Sequence, residues 1–378
     1  MRTGREKRYS PRRTGILESE ITESFLTFAL FVVKNISAPW IACVLFFPAL
    51  VFAQGLEKIT EGAKKEGKVR VGITVRWQEG GKPAAKRMVE VFQARYPFVK
   101  VDYERVGGSR ERERVVSELA AGKVSYDVTV LSETQVPVAL KANVIEKVDW
   151  RSLGVLAQHV HDDGAGVNYR SQVYGISYNR KLVPDSIGAK LTWDDCASPQ
   201  YRGKVAMDSR PRHLEIFWQP QVWGRDKTLA HARRLAENLT IFEQDRTAAM
   251  TKLALGEYAI VCGSFYSTYH EQVRSGDKSQ VAFRVAEPVP VSLGDVVFVP
   301  RAVPHPHSAR LWVAWSLSEE GQKILDEVEG SGSPLFPSTQ AAGLIKGKKV
   351  AWYEPQWRAK ADEILKEILE AIGLPIVR

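Results

Sequence analysis

The sequence has 378 residues, which at roughly 150 residues per domain is enough for about two domains. A hydrophobic fraction of 44% and a charged fraction of 26% are ordinary for a globular protein, and they argue against a disordered chain or a multi-span membrane protein. The formal net charge is +9, but the basic residues form no block outside the N-terminus, so we expect no nucleic-acid partner.

The N-terminal segment is predicted to be an export signal. An apolar run from Trp40 to Phe52 is too short to cross a bilayer as a helix but has the length of a signal-peptide core. Small side chains end this run, so we expect cleavage after Ala53 and a periplasmic mature protein. Because the stretch before the run is unusual for a leader, we interpret Val33 as the true start. A longer, uncleaved anchor over residues 25–52 is the alternative.

Strands and helices alternate after this segment. "KVRVGITV", "VKVDYERV" and "YDVTVLS" are typical of strands, and "PAAKRMVEVFQARYP" and "GSRERERVVSELAAGK" are typical of amphipathic helices. This alternation predicts parallel strands with helices on both faces. Ligands of such sheets bind beyond the carboxyl ends of the strands.

A second α/β pattern starts near Val173. It contains the strand "VYGISYNRKLVP", the helices "DKTLAHARRLAENL" and "DRTAAMTKLALGEY", and the strand "AIVCGSFY". No low-complexity linker separates the two patterns. A second α/β unit inserted into the first explains why two patterns occur without a linker. We therefore predict two lobes with a cleft between them.

Six segments in this order resemble one protein family. They are "FQARYPFVKVDYERVGGS", "ELAAGKVSYDVTVLSE", "YGISYNRKLVP", "TWDDCASPQYRGKVAMDSRP", "LALGEYAIVCGS" and "VPHPHSARLWVAWSLSEEGQKIL". Over roughly residues 56–345 the chain is similar to the extracellular solute-binding proteins of bacterial ABC importers, of the type that includes ferric-iron-binding proteins.

The resemblance implies a type II periplasmic-binding fold, in which each lobe is a mainly parallel sheet flanked by helices and the ligand cleft lies at the hinge. Crossings between the lobes are expected near Ile176–Tyr178 and Glu287–Val291. The implied domains are the N-terminal extension and signal peptide over 1–53, lobe 1 over 54–176, lobe 2 over 177–288, a return segment of lobe 1 over 289–327, and a C-terminal helical segment over 328–378 that packs on lobe 2.

The resemblance also implies a receptor and not an enzyme. Such a protein needs no cofactor, acts as a monomer, captures a small solute in the cleft and delivers it to the permease of an ABC importer. Two alternatives stay open. An exported two-lobed enzyme would need a catalytic carboxylate or cysteine in the cleft, and a chemosensory binding protein would differ only in its partner.

The ferric-iron-binding members grip Fe(III) with two adjacent tyrosines, and the matching pair here is Phe265–Tyr266. Their glutamate matches Glu133 or the residue before it, and their histidine after the first strand has no counterpart in "TVRWQEGGK". The resemblance therefore leaves Tyr266 and Glu133 as an incomplete metal-ligand set. We expect a small anion or organic molecule in preference to bare ferric iron, with Fe³⁺ kept open as a transported ligand. Tyr269 is expected to pack.

Further ligand-binding candidates follow from their position at strand ends or helix starts. These candidates are Thr74, Arg76 and Trp77 after the first strand, Ser109 and Arg110 at the start of a helix, and Asp208, Ser209 and Arg210 after the strand "GKVAM". Arg76, Arg110 and Arg210 together suit a bidentate clamp on a carboxylate or phosphate. Glu133 and Tyr266 complete the predicted site.

The cysteines Cys43, Cys196 and Cys262 lie far apart and form no CxxC motif, so neither a zinc site nor a redox motif is readable. Cys43 should be removed with the signal peptide. We expect Cys196 and Cys262 to be buried free thiols, with a disulfide only if the two meet in space.

Overall fold

The structure is a computed structural model, and it describes residues 55–75, 78–79, 82–161, 164–275 and 280–375. The predicted signal segment with Cys43 and Ala53 lies outside the described residues, as do Arg76 and Trp77.

The structure consists of strands and helices that alternate along most of the chain. The strands are β1 (Lys68–Ile73), β2 (Gln78–Glu79), β3 (Lys82–Pro83), β4 (Lys100–Arg105), β5 (Val128–Leu131), β6 (Val160–His161), β7 (Gly166–Asn179), β8 (Val205–Asp208), β9 (Ile241–Glu243), β10 (Ile260–Phe265), β11 (Val281–Arg284), β12 (Val289–Phe298) and β13 (Val350–Trp352). The helices are α1 (55–66), α2 (Ala85–Arg95), α3 (Ser109–Ala120), α4 (Val136–Lys141), α5 (Asp185–Gly188), α6 (Arg212–Phe217), α7 (Arg225–Glu237), α8 (Arg246–Leu255), α9 (Tyr266–Ser275), α10 (Pro306–Ser316), α11 (Glu319–Glu329), α12 (Gln340–Ile345), α13 (Pro355–Arg358) and α14 (Ala361–Ile372).

In the described part of the chain, 11 strands form one mixed sheet in the order β4-β1-β5-β12-β7-β10-β8-β9, with β6 and β11 paired to β7 and β13 paired to β12. β1 runs parallel to β4 and β5, and β8 runs parallel to β9 and β10. β10 and β12 both run antiparallel to β7. The predicted α/β class is confirmed.

The apolar spacing of the sequence explains the first layers. Val69 and Val71 alternate with exposed residues along β1 and are fully buried. Met88 and Phe92, four residues apart, lie on the buried face of α2, where the Phe92 ring is 4.8 Å from the ring of Trp312 in α10. The helices therefore cover the sheet through the apolar faces that the sequence predicts.

Strand β7 joins two halves of the sheet. Up to Val173 it pairs with β12, and from Tyr174 it pairs with β10 and β11. The change of partner lies slightly before Ile176–Tyr178, where the sequence predicts the crossing. Because β7 belongs to both halves of the sheet, it fixes the position of one half relative to the other. The ends of the neighbouring strands then border the space between the two halves.

Two hydrophobic cores lie on either side of this change of partner. The first core contains side chains between Ile59 and Tyr169 and between Val296 and Val328. The second core contains side chains between Tyr174 and Ala286 and between Ala351 and Ile372. The exact lobe boundaries that the sequence suggests stay a prediction.

The C-terminal helix α14 packs on the second core. Ile364, Ile368 and Ile372 recur every four residues, lie on one face of the helix and are buried in that core. The helix contacts α7, and Arg225 Nη2 of α7 lies 2.5 Å from the Glu367 carboxylate.

The expectation of two free thiols is wrong. Cys196 and Cys262 form a disulfide with an S–S distance of 2.12 Å and a Cα–Cα distance of 5.9 Å. Cys196 lies in a short 3-10 helix and Cys262 lies on β10, and both are buried in the second core. Sequence spacing could not reveal this, because the two residues are 66 positions apart and only the packing brings them together.

Candidate functional site

A cleft of about 1170 Å³ lies between the two cores. Its lining residues are Arg170, Gln172, Val328 and Glu329 from the first-core side; Asp208, Ser209, Arg210, Phe242, Gln244, Asp245, Arg246, Thr247, Phe265, Ser267, Thr268, His270, Glu271 and Arg274 from the second-core side; and Asp362, Leu365, Lys366, Leu369, Leu374 and Pro375 from the C-terminal segment. A cavity of this size is large enough for an organic molecule.

The first-core side of the cleft carries a network of paired charges. Arg170 Nη2 lies 2.8 Å from the Glu329 carboxylate, and Arg170 Nη1 lies 3.4 Å from Asp295 Oδ2. Arg112 Nη1 contacts Asp295 Oδ1 at 3.2 Å, and the Thr74 hydroxyl donates to Asp295 Oδ2 at 3.2 Å. Because each of these charges already has a partner, this side offers a polar surface with little free charge.

Two of the arginines on the second-core side are Arg210, in the loop after β8, and Arg246, at the start of α8. Arg246, at the start of α8, pairs with the Asp208 carboxylate and stacks over Phe265, with the guanidinium carbon 4.2 Å from the ring centroid. The Arg210 side chain is exposed. Among the described residues, no carboxylate is bonded to the Arg210 guanidinium, which is therefore available to a ligand.

The turn from β10 into α9 depends on Gly263. The register of β10 against β7 shifts here, and Gly263 has a φ of 66°, which glycine adopts without strain. A Cβ atom at Gly263 would lie 2.1 Å from His213 Nδ1. The turn places Ser267 and Thr268 in the cleft, where the Ser267 hydroxyl donates to Gln172 Oε1 of β7 at 2.9 Å.

Tyr266 lies in a packed environment. It is 7% exposed, and its hydroxyl donates to Gln340 Oε1. Its ring centroid is 5.6 Å from that of Phe283 and 6.2 Å from that of Tyr269. Burial, followed by the negative charge of Asp326, raises the pKa of Tyr266 to about 12. A metal ion would have to displace both the phenol proton and the hydrogen bond to Gln340 before it could bind this oxygen.

Glu133 also has a partner within the chain. It follows β5, and its carboxylate bonds to the guanidinium of Arg358 in α13. Burial raises the pKa of Glu133, and the charge of Arg358 opposes that rise. Within the described residues no group of three or more His, Cys, Asp or Glu side chains is placed to hold a metal ion.

A buried carboxylate lies beside this contact, on α6. Tyr353 donates its hydroxyl hydrogen to Glu215 at 3.0 Å, and Arg212 Nη1 lies 3.7 Å from the same carboxylate. Burial raises the pKa of Glu215 to about 7, although Arg212 opposes the rise. These contacts anchor the C-terminal segment to α6.

The structure brings part of the predicted site together. Asp208, Ser209 and Arg210 line the cleft. Thr74 is one step removed, since its hydroxyl lies 3.5 Å from Arg170 Nη1, and Arg170 does line the cleft. The two predicted metal ligands do not line the cleft, since the Tyr266 hydroxyl donates to Gln340 and the Glu133 carboxylate pairs with Arg358.

The predicted arginine clamp is not assembled in the described residues. Arg210 lines the cleft, Arg110 is exposed on the first turn of α3, and Arg76, like Trp77, falls outside the described residues. Ser109 begins α3.

Sequence reasoning missed several cleft residues. Ser267 and Thr268 directly follow the predicted strand "AIVCGSFY", so their position after a strand is a signal that the sequence contains. Arg170 lies in the part of β7 that precedes Val173, where the predicted strand begins. The sequence of α14 did not indicate that its apolar residues line a cleft. An amphipathic pattern identifies the buried face of a helix, but it does not show what the residues beside that face contact.

The two cores, the shared strand and the cleft between them define a type II periplasmic-binding fold, as predicted. Solved structures agree: iron- and citrate-bound IdiA (FutA) of Trichodesmium superposes with a TM-score of 0.62 at 17% identity, covering 82% of this chain and 100% of that one. Iron-bound HitA of Pseudomonas aeruginosa gives a TM-score of 0.58 at 16% identity, covering 81% and 99%. The spermidine/putrescine-binding PotD of Streptococcus pneumoniae gives 0.58 at 15% identity, covering 81% and 99%.

The sequence profile of the bacterial extracellular solute-binding proteins matches residues 126–357. The chain belongs to this family, whose members are binding proteins of ABC importers. No curated protein matches the sequence. In the part of the chain that the structure describes, no helix combines the length and the hydropathy needed to span a bilayer.

Proposed function

We propose that this protein is an exported receptor that captures a small organic anion in the cleft and delivers it to the permease of an ABC importer. It acts outside the cytoplasmic membrane after loss of its N-terminal signal, as a monomer and without catalysing a reaction. The observation that carries the proposal is the cleft of about 1170 Å³, which takes its walls from both hydrophobic cores.

A ligand in such a cleft stabilises the closed form because it contacts both walls at once. Arg170 and Gln172 belong to the first-core side, while Arg210 and Ser267 belong to the second. The hydrogen bond between Ser267 and Gln172 is an example of polar groups from the two sides that lie within hydrogen-bonding distance.

The choice of an organic anion follows from the state of the charged side chains. Asp208, Glu329 and Glu133 are each paired with an arginine, whereas the exposed Arg210 lines the cleft without a bonded carboxylate among the described residues. A solute carboxylate or phosphate would supply that missing partner.

Ferric iron is the competing solute, since structural neighbours such as Trichodesmium IdiA and Pseudomonas HitA hold iron. Tyr266 and Glu133 are the residues here that match such a ligand set. Both side chains are bonded within the chain, to Gln340 and Arg358, which supports the organic anion instead.

A thermal-shift screen of the purified protein tests the proposal. Ferric salts, carboxylates, phosphonates, polyamines and thiamine are added separately, because a ligand that binds only the folded form raises the melting temperature. We expect carboxylates or phosphonates to raise it and the Arg210→Gln variant to lose the shift. A shift given by ferric salts alone would replace the anion with iron, and the absence of any shift would reject the receptor.

A further inference from the structure

The C-terminal segment forms a wall of the cleft. Helix α14 is anchored on the second core through Ile364 and Ile368, and the Arg225–Glu367 pair ties its outer side to α7. This packing fixes the rotation of α14 about its own axis. It therefore also fixes which side chains beside the buried face line the cleft.

Those flanking positions are apolar. Leu365 and Leu369 lie four residues apart on one side of α14, and Leu374 and Pro375 follow the helix; all four line the cleft. Leu365 and Leu374 stay partly exposed. An apolar part of a ligand that covers this surface removes it from water, and the free energy of binding becomes more favourable.

One guanidinium of the same cleft is available to a carboxylate. Arg210 is exposed and carries no bonded carboxylate among the described residues, unlike Arg246 and Arg170, which are paired. Lys366, adjacent to the apolar strip, lies 3.9 Å from Glu370, at the outer limit of an ion pair. A guanidinium binds a carboxylate through two parallel hydrogen bonds.

We propose that the solute is an amphipathic organic acid, with its carboxylate on Arg210 and its apolar body against the strip formed by Leu365, Leu369, Leu374 and Pro375. This inference rests on the proposed receptor function and narrows it to one chemical class. The C-terminal segment is then the element that selects solutes by the length of their apolar part.

The test uses a series of straight-chain monocarboxylates, namely acetate, butanoate, hexanoate and octanoate, titrated into the purified full-length protein by isothermal calorimetry. Full burial of one methylene group raises affinity about fourfold. The apolar strip covers only one side of the alkyl chain, so each methylene group is only partly buried. We therefore expect affinity to rise at least about twofold per methylene along the series. Octylamine, with the same chain and the opposite charge, should bind at least about tenfold more weakly than octanoate.

Variants at two positions separate the contribution of the solute's carboxylate from that of its alkyl chain. Arg210→Gln should weaken all the carboxylates by a similar factor, about tenfold or more. Leu365→Gln should affect acetate least and octanoate most, which flattens the increase of affinity with alkyl-chain length, and Leu365→Ala should give an intermediate slope. Leu255→Gln is the matched control, because Leu255 is 74% exposed on α8 and lies away from the lining residues, so both effects should be missing.

Equal affinity across the series, or an unchanged slope in both Leu365 variants, would overturn the inference. If phosphate, citrate, spermidine or Fe(III) then binds in the same calorimeter, the solute class is wrong while the receptor function stands. If no compound of any class binds, the receptor function fails together with the inference.

Discussion

Glu133 and Arg358, 225 positions apart in the sequence, are bonded side chain to side chain. Glu133 follows β5 on the first-core side, and Arg358 belongs to α13 in the segment that Tyr353 and Glu215 anchor to the second-core side. The pair therefore links the two sides of the molecule. It also occupies the carboxylate that the sequence analysis names as a candidate metal ligand.

Breaking this pair should destabilise the fold. Arg358→Gln leaves the Glu133 carboxylate, whose side chain is 23% exposed, without its cation, and we expect the free energy of unfolding to fall by about 2 kcal/mol. Urea unfolding measures it. The control is Arg225→Gln, whose pair with Glu367 is 56% and 39% exposed and should contribute at most about 1 kcal/mol. Equal decreases in the free energy of unfolding in the two variants would show that the Glu133–Arg358 pair stabilises the fold no more than an exposed ion pair does.

The phenol of Tyr266 should not bind Fe(III). The side chain is buried and its hydroxyl is bonded to Gln340, so adding ferric citrate at pH 7 should give no visible phenolate charge-transfer band. Tyr266→Phe should lower the free energy of unfolding by about 1 kcal/mol through loss of that bond. A red complex in the wild type that disappears in Tyr266→Phe would contradict this account.

Stability should decrease as the pH falls below neutrality. Burial lowers the pKa of His213 to about 3 and of His231 and His270 to about 4. Between these values and about 6.5 the unfolded chain binds more protons than the folded one, so each histidine removes up to about 1.4 kcal/mol per pH unit on acidification. Glu215, with a raised pKa of about 7, has the opposite sign between about 4.5 and 7 and offsets one histidine.

Urea midpoints at pH 7.5, 6.0 and 5.0 check this balance. The wild type should lose stability at each step, and His270→Gln should lose less. Glu215→Gln should lose more, because the group with the opposite sign is gone. A wild-type midpoint that stays constant over this range would refute the assignment of neutral buried histidines.

Reducing the Cys196–Cys262 disulfide should weaken the second core. The bond closes a loop with a sequence separation of 66, for which chain entropy predicts about 4 kcal/mol of stabilisation. The oxidised protein should unfold at higher urea than the same protein in dithiothreitol, and a Cys196→Ala, Cys262→Ala double variant should be insensitive to dithiothreitol. Equal midpoints with and without reductant in the wild type would mean that the bond does not form in solution.

The amino-acid sequence by itself determined the α/β class, the apolar faces of the helices and the family, because these depend on spacing within short segments. "KVRVGITV" alternates and becomes β1, and the residues after the strand "GKVAM" line the cleft as strand-end positions do. Only the tertiary structure decided which side chains meet across the chain. It joined Cys196 to Cys262, turned Tyr266 toward Gln340 and gave Glu133 an arginine from the C-terminal segment. Such long-range contacts carry no local pattern, since the partners are fixed by packing and not by neighbouring residues.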